Sequence, residues 1–187
     1  DFPLPAGNLR EFRCAAKEAD NIIVTKCPPT LNTKEAESIK KRMHLQPHQQ
    51  CFFSTLQYDA PLPLTESARQ IKLDTQSHIL LFTGIAHPES LIHHLTSQYT
   101  DVKSITFSDH HRFCEKEIVR LCQKLASSTP KTALFTTEKD AARLYGTPLW
   151  NLVSGMPLFA LPVRVKLLWD EYLLKQQVLT VMEQMKR

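Results

Sequence analysis

Phe107-Ser108-Asp109-His110-His111-Arg112-Phe113 sets a carboxylate, two imidazoles and a guanidinium side by side. Histidine titrates near neutral pH, and an adjacent carboxylate can fix its tautomer, so His110 can serve as a general base, an orienter of another group or a proton shuttle. Asp109, His110 and His111 together also have the composition of a divalent-metal site, as in phosphoesterases built on an Asp-His-His motif. Such sites draw further Asp ligands from strand ends, and the chain has no Asp-x-Asp cluster. Taken as an isolated tripeptide, the simplest role is a loop capped by Asp109 with exposed histidines.

The flanking residues say what positions this loop. Asp101-Val102-Lys103-Ser104-Ile105-Thr106-Phe107 carries apolar residues at alternate positions and predicts a strand. Glu115 to Cys122 has helical spacing with acids in its first turn. The polar residues therefore sit where a strand gives way to a helix, the edge at which α/β sheets bind ligands. His78-Ile79-Leu80-Leu81-Phe82 and Thr132-Ala133-Leu134-Phe135-Thr136 predict neighbouring strands of the same kind. The first runs into Thr83-Gly84-Ile85-Ala86-His87-Pro88-Glu89, where Gly84 permits a close backbone approach and Pro88 opens a helix through Leu95. The second runs into Thr137-Glu138-Lys139-Asp140, whose Thr137 and Asp140 have the spacing of a capping box and whose Lys139 can reach a phosphate from the sheet edge.

Upstream, Asn8 is positioned to cap a short helix from Leu9 to Ala16, Ile22 to Thr25 predicts a buried strand, Thr33 caps a helix through Ala36, Ile39 and Met43, and Cys51 to Tyr58 predicts a second strand. Residues 59–77 break this rhythm and read as a linker or a two-stranded ribbon. Downstream, Leu158 to Val163 predicts a last strand, and Leu167, Leu168, Tyr172 and Leu179 stripe a helix that would cover a core.

Composition narrows the class. With 187 residues, 42% hydrophobic and 22% charged, the chain can bury one good core or two small ones. The net charge of +4 is of mixed sign, and its one basic run, Lys40-Lys41-Arg42, suits the end of a helix as well as an anionic surface. No basic stripe interleaved with aromatics points to nucleic acid. Five cysteines without a Cys-x-x-Cys pair imply neither a disulfide framework nor a zinc site and suit a reducing compartment. No apolar run approaches a membrane span, and no Gly-x-x-x-x-Gly-Lys-Ser/Thr phosphate loop occurs. The first residue is Asp1, which reads as a fragment or a processed chain.

Leu4-Pro5-Ala6-Gly7-Asn8-Leu9-Arg10-Glu11, the Asp20 to Thr25 strand, Phe82 to Glu89, the Asp-His-His loop and Thr137-Glu138-Lys139-Asp140-Ala141 occur in an order that resembles the tetraacyldisaccharide 4'-kinase family of lipid A biosynthesis, from the first residues to about Val163. That family is a branch of the phosphate-loop NTPases with two Rossmann-like domains joined by a ribbon and an active site between them. It transfers the γ-phosphoryl of ATP to the 4'-hydroxyl of tetraacyldisaccharide 1-phosphate. The resemblance implies an α/β fold, a Rossmann-like three-layer sheet with helices on both faces, preceded by the tail of a P-loop domain. It implies residues 1–58 as that C-terminal remainder, 59–77 as the ribbon linker and 78–187 as the C-terminal Rossmann-like domain.

By the same resemblance His110, with Asp109 beside it, would orient and tune a catalytic Asp upstream of Asp1, and Arg10 and Glu11 would hold and brace a substrate phosphate, with Lys139 also in the cleft. ATP and Mg2+ would be bound mainly by residues outside this chain, in the family's phosphate loop and Asp-Asp-Gly-Phe-Gln-His segment. The implied partners are an acylated disaccharide lipid, the N-terminal P-loop region of the same polypeptide, and the cytoplasmic face of a Gram-negative inner membrane, contacted peripherally. Isolated, these residues would be inactive. Two other classes compete: the metal-dependent phosphoesterase, and a non-catalytic module binding an anionic partner through Arg10, Lys139 and the basic run.

Overall fold

The computed structural model describes residues 11–128 and 131–185, and its contacts divide the chain into two compact units, Asp1–Gln57 with Arg164–Arg187, and Tyr58–Val163. In the first unit a 3-10 helix, Arg13–Glu18, precedes β1 (Asn21–Val24), α1 (Thr33–Met43) and β2 (Gln50–Tyr58). Of the helix expected over 9–16, the Asn8 cap and residues 9 and 10 lie outside the described residues. The two strands pair in parallel, Ile22 opposite Cys51 and Ile23 opposite Phe52, as a β-α-β unit requires. The helix is capped one residue earlier than its sequence suggests: Asn32 accepts from the Glu35 N–H while the Glu35 carboxylate accepts from the Asn32 N–H, and Thr33 is the first helical residue. Lys40, Lys41 and Arg42 lie in its last turn, where they face the negative end of the helix dipole. Cys27, Leu31, Ala36 and Phe53 form the small core.

The second unit is built on a five-stranded sheet. Its elements are β3 (Leu62–Pro63), α2 (Glu66–Arg69), β4 (His78–Thr83), α3 (Glu89–Gln98), β5 (Asp101–Thr106), α4 (Glu115–Ala126), β6 (Thr132–Thr137), α5 (Glu138–Leu144), α6 (Pro148–Val153) and β7 (Leu158–Leu161). The strand order is β3-β7-β6-β4-β5; β7, β6, β4 and β5 run in parallel and β3 is antiparallel to β7. Alternation along each strand divides the apolar side chains between two cores. Ile79, Leu81, Phe135 and Phe159 face Leu91 and Leu95 of α3, whereas Leu80, Phe82, Leu134 and Leu158 face Ile118 and Leu121 of α4, Leu144 of α5 and Val153 of α6. Helices on both faces explain why β4 and β6 read as continuous apolar runs. Each fully buried Leu, Ile or Phe contributes about 1.5–3 kcal/mol by leaving water, and Leu81, Phe82, Leu134 and Phe135 are all completely buried.

Within residues 59–77, expected as a linker or a two-stranded ribbon, β3 and α2 form. Leu62 and Pro63 pair with Ala160 and Phe159 at the sheet edge, where proline's missing N–H is tolerated, and Thr65 caps α2 while its hydroxyl donates to the Met156 carbonyl at 2.6 Å. After Pro162 the chain does not enter a core-covering helix. Val163, Val165 and Leu167 alternate with Arg164 and Lys166, the period of a strand, and this β8 (Val163–Leu167) joins the sheet of β1 and β2 in the order β1-β2-β8. Residues from Arg164 onward thus cluster with the first unit rather than with 78–163. Leu168 packs on the first unit's core and Trp169 meets Phe53 edge-to-face. The following α7 (Glu171–Gln184) buries none of its residues, and Tyr172 and Leu179 are exposed.

Candidate active site

Three parallel strands, β4, β5 and β6, end together in threonines: Thr83, Thr106 and Thr137. The segments leaving these ends meet around Asp140, a carboxylate with no exposed surface. Its Oδ2 accepts from the Thr83 hydroxyl (2.8 Å), the Gly84 N–H (3.0 Å) and the Thr137 hydroxyl (2.8 Å), and its Oδ1 accepts from Arg143 Nη1 at 3.0 Å. Only half of the expected capping box forms. The Thr137 hydroxyl accepts from the Asp140 N–H, but the Asp140 carboxylate turns inward to the neighbouring strand's turn. A buried charge is tolerable when paired and fully hydrogen-bonded, and these four donors meet that condition.

The loop after β5 docks on this turn. Phe107 N–H donates to the Thr83 carbonyl and His110 N–H to the Gly84 carbonyl. A Cβ at Gly84 would stand 2.9 Å from His111 Cβ and 3.3 Å from the Ser108 carbonyl oxygen, so the close approach anticipated at this glycine is one that a larger residue would push apart. His110 itself has φ of 57°, the left-handed region, held by the Gly84 contact and by its N–H donating to Asp109 Oδ1 at 2.9 Å. Such a conformation in a residue other than glycine is strained and is a recurrent feature of functional loops.

The structure brings Asp109, His110 and Lys139 together. Lys139 Nζ lies 3.7 Å from Asp109 Oδ1 and 3.5 Å from His110 Nε2, and the His110 side chain is 71% exposed. Arg143 adds a contact that the sequence did not flag, Nη2 to His110 Nδ1 at 3.1 Å. Glu11 belongs to the first unit and is exposed; Arg10 lies outside the described residues.

His111 separates from its neighbour. Its ring stacks on Phe107 (centroids 4.7 Å apart) and meets Phe113 edge-on, and its Nε2 is 2.9–3.0 Å from both oxygens of Glu117. Glu117 also accepts from the Cys114 N–H at the start of α4. The hydrogen bond from His111, followed by that from Cys114, holds the Glu117 carboxyl below its ordinary pKa. The pair ties the loop to α4, while Arg112 faces solvent. Asp109, His110 and His111 therefore do not converge on one point, and among the described residues no three His, Cys, Asp or Glu side chains are placed to hold a metal ion. The geometry gives the phosphoesterase alternative no support.

Comparison with known proteins agrees with the order of motifs. A family model described as LpxK, tetraacyldisaccharide-1-P 4'-kinase, matches residues 1–183. A tetraacyldisaccharide 4'-kinase of Phocaeicola vulgatus is 36% identical over 176 residues, covering 91% of this chain and 48% of the relative. One of Flavobacterium psychrophilum is 32% identical over 185 residues, covering 98% and 51%. The chain thus spans about half the length of the curated relatives it matches. In structure it is similar to the crystal structure of an "apo" form of the Aquifex aeolicus LpxK in complex with ATP, with a TM-score of 0.55 over 97% of this chain and 48% of the other, at 20% identity, a likeness of fold.

Proposed function

The chain belongs to the tetraacyldisaccharide-1-P 4'-kinase family, and from that premise we propose that it is the C-terminal portion of a lipid A 4'-kinase, which transfers the γ-phosphoryl of ATP to the 4'-hydroxyl of tetraacyldisaccharide 1-phosphate. The observation that carries the reading beyond the family match is His110: an exposed imidazole on the carboxyl edge of a parallel sheet, in a strained backbone conformation and braced from beneath.

On this reading the first unit is the remainder of the P-loop domain, and the second is Rossmann-like in its layering. These residues contain no phosphate loop, so ATP and Mg2+ are assigned to parts of the polypeptide outside them. What this chain supplies is position and charge. His110 orients the carboxylate that receives the proton of the sugar hydroxyl, Asp109 holds the His110 backbone, and Lys139 stands beside them as a cation for a phosphate group. Arg10 and Glu11 are assigned to a substrate phosphate. Phosphoryl transfer relies mainly on positioning and electrostatic stabilisation, which suits such a supporting half-site. Among the described residues no helix is long and apolar enough to cross a membrane; access to the acylated substrate is assigned to peripheral contact at the cytoplasmic face of the inner membrane.

The test is phosphate transfer from Mg-ATP to tetraacyldisaccharide 1-phosphate by a polypeptide of the relatives' full length that carries these residues, beside its His110→Ala variant. A loss of about two or more orders of magnitude in the variant is the expected result. An inactive parent sinks the kinase reading, and a fully active variant returns the loop to scaffolding.

A further inference from the structure

We propose that Arg143 is a positioning residue that locks the neutral His110 ring in its Nε2–H tautomer, so that the exposed nitrogen acts as a hydrogen-bond donor and not as a base. The kinase reading is needed only for the catalytic consequence; the tautomer assignment stands on the geometry alone.

A guanidinium has donors and no lone pair to give. With Arg143 Nη2 3.1 Å from His110 Nδ1, Nδ1 must accept, and a neutral imidazole that accepts at one nitrogen carries its proton on the other. Lys139 competes, since its ammonium also only donates and lies 3.5 Å from Nε2. Both cations cannot be satisfied by one neutral ring. The shorter contact is well inside hydrogen-bonding range and the longer one is at its limit, and Lys139 has Asp109 Oδ1 within 3.7 Å as an alternative partner. On the Nε2 side Asp109 Oδ2, at 3.6 Å, can only accept, which again favours a proton on Nε2.

Arg143 is also not free to follow the ring. Its other amino group is held by Asp140 at 3.0 Å and lies 3.5 Å from the Gly84 carbonyl, and Asp140 is fully buried and fixed by the ends of β4 and β6. Pairing with Asp140 uses only Nη1. The contact of Nη2 with His110 is surplus to that structural role and reaches an exposed ring of the loop. The His110 backbone is anchored to the same turn through Gly84. Ring and backbone are thus referenced to one rigid support, as a precise donor requires. Of the three roles open to His110, this arrangement selects the orienter: an Nε2–H can donate to a carboxylate and hold it in register, but cannot take a proton at that atom.

Long-range 1H–15N NMR of the histidine-labelled chain, at a pH where the rings are neutral and with His110 identified by its loss in His110→Gln, reads the tautomer directly. The expected spectrum has Nδ1 unprotonated and Nε2 protonated, with a bias of about tenfold or more, the scale of one hydrogen bond to a charged group. In Arg143→Met that bias should collapse towards a mixture, and Arg143→Lys, which keeps a donor, should recover part of it. An Nδ1–H ring in the wild-type chain overturns the proposal without any variant, so a failure of Arg143→Met to fold does not shield it; an unchanged tautomer in a folded Arg143→Met overturns it equally. In the full-length kinase, Arg143→Met should lower kcat about ten- to a hundredfold with KM little changed. Unchanged kcat there refutes the catalytic consequence. A parent without transferase activity refutes the kinase reading and leaves the tautomer to the spectrum.

Discussion

At the carboxyl edge of the five-stranded sheet Asp140 is wholly buried and receives four hydrogen bonds from two segments of chain. At the amino edge, Asp101 of β5 sits opposite His78 of β4 and receives one, from Nδ1 at 2.6 Å, with side chains 41% and 36% exposed. Both carboxylates pin neighbouring strands at their ends. The difference lies in solvent. At the buried end the Thr83 hydroxyl and the Gly84 N–H stay dry if they lose their acceptor, whereas at the exposed end water replaces whichever partner is removed. A sheet edge that must hold a side chain such as His110 in a strained pose needs the first kind of pin, and the edge without such a task has the second.

The contrast is broken most directly at Asp140. Asp140→Ala leaves two hydroxyls, the Gly84 N–H and Arg143 without their acceptor, and a loss of about 3–5 kcal/mol is expected, read as a lower midpoint in urea unfolding with the slope unchanged. A loss below about 1 kcal/mol would mean that the turn rearranges and that the support beneath His110 is soft. Gly84→Ala probes the same support by steric pressure. Its Cβ, 2.9 Å from His111 Cβ, should displace the loop at a cost of about 1–3 kcal/mol, and the amide resonances of 107–113 should move while those of β1 and α1 stay in place.

Glu117 sharpens the comparison by pH. Its folded-state pKa is depressed below the ordinary glutamate value, chiefly by the hydrogen bond from His111, so the unfolded chain binds its proton first. The stability this contributes is present above the ordinary glutamate value and is lost as pH falls through the depressed one. Glu117→Gln should therefore be less stable than wild type near neutrality and converge with it in acid. Parallel stability curves down to the acid transition would show that His111 does not anchor the loop through this carboxylate.

The sheet was legible where burial imposes a pattern. Ile79-Leu80-Leu81-Phe82 and Ala133-Leu134-Phe135 are uninterrupted because both faces are covered. β8 was not, because Leu167, Leu168 and Tyr172 also satisfy helical spacing, and five residues after Pro162 are too few for alternation to stand out. In the site, Asp109 and His110 announce themselves by adjacency and Lys139 by its place at a strand end. Arg143 gives no such signal: its partner lies 33 residues away and is reached only because β6 and β5 flank β4. An exposed His111 is the simplest expectation from the tripeptide alone, but Phe107 and Phe113 on either side supply the apolar cage that turns its ring inward. Local patterns reveal elements; a site assembled from three strand ends becomes visible only once their order is known.

The weakest perturbation is the most telling control. In Asp101→Asn the His78 contact loses its charge at an edge remote along β4 from Thr83. Asp101 is held below its ordinary pKa, first by the His78 hydrogen bond, so whatever it contributes appears above the aspartate range and fades as pH falls through the depressed value. Because the pair is open to water, that contribution should be small and should vanish in about 1 M salt, where the screening length is near 3 Å. The His110 tautomer and the amide resonances of 107–113 should be untouched. If Asp101→Asn instead cost as much as Asp140→Ala, or reached the loop, the two edges would be coupled through β4, and the rigidity ascribed to Asp140 would belong to the strand as a whole.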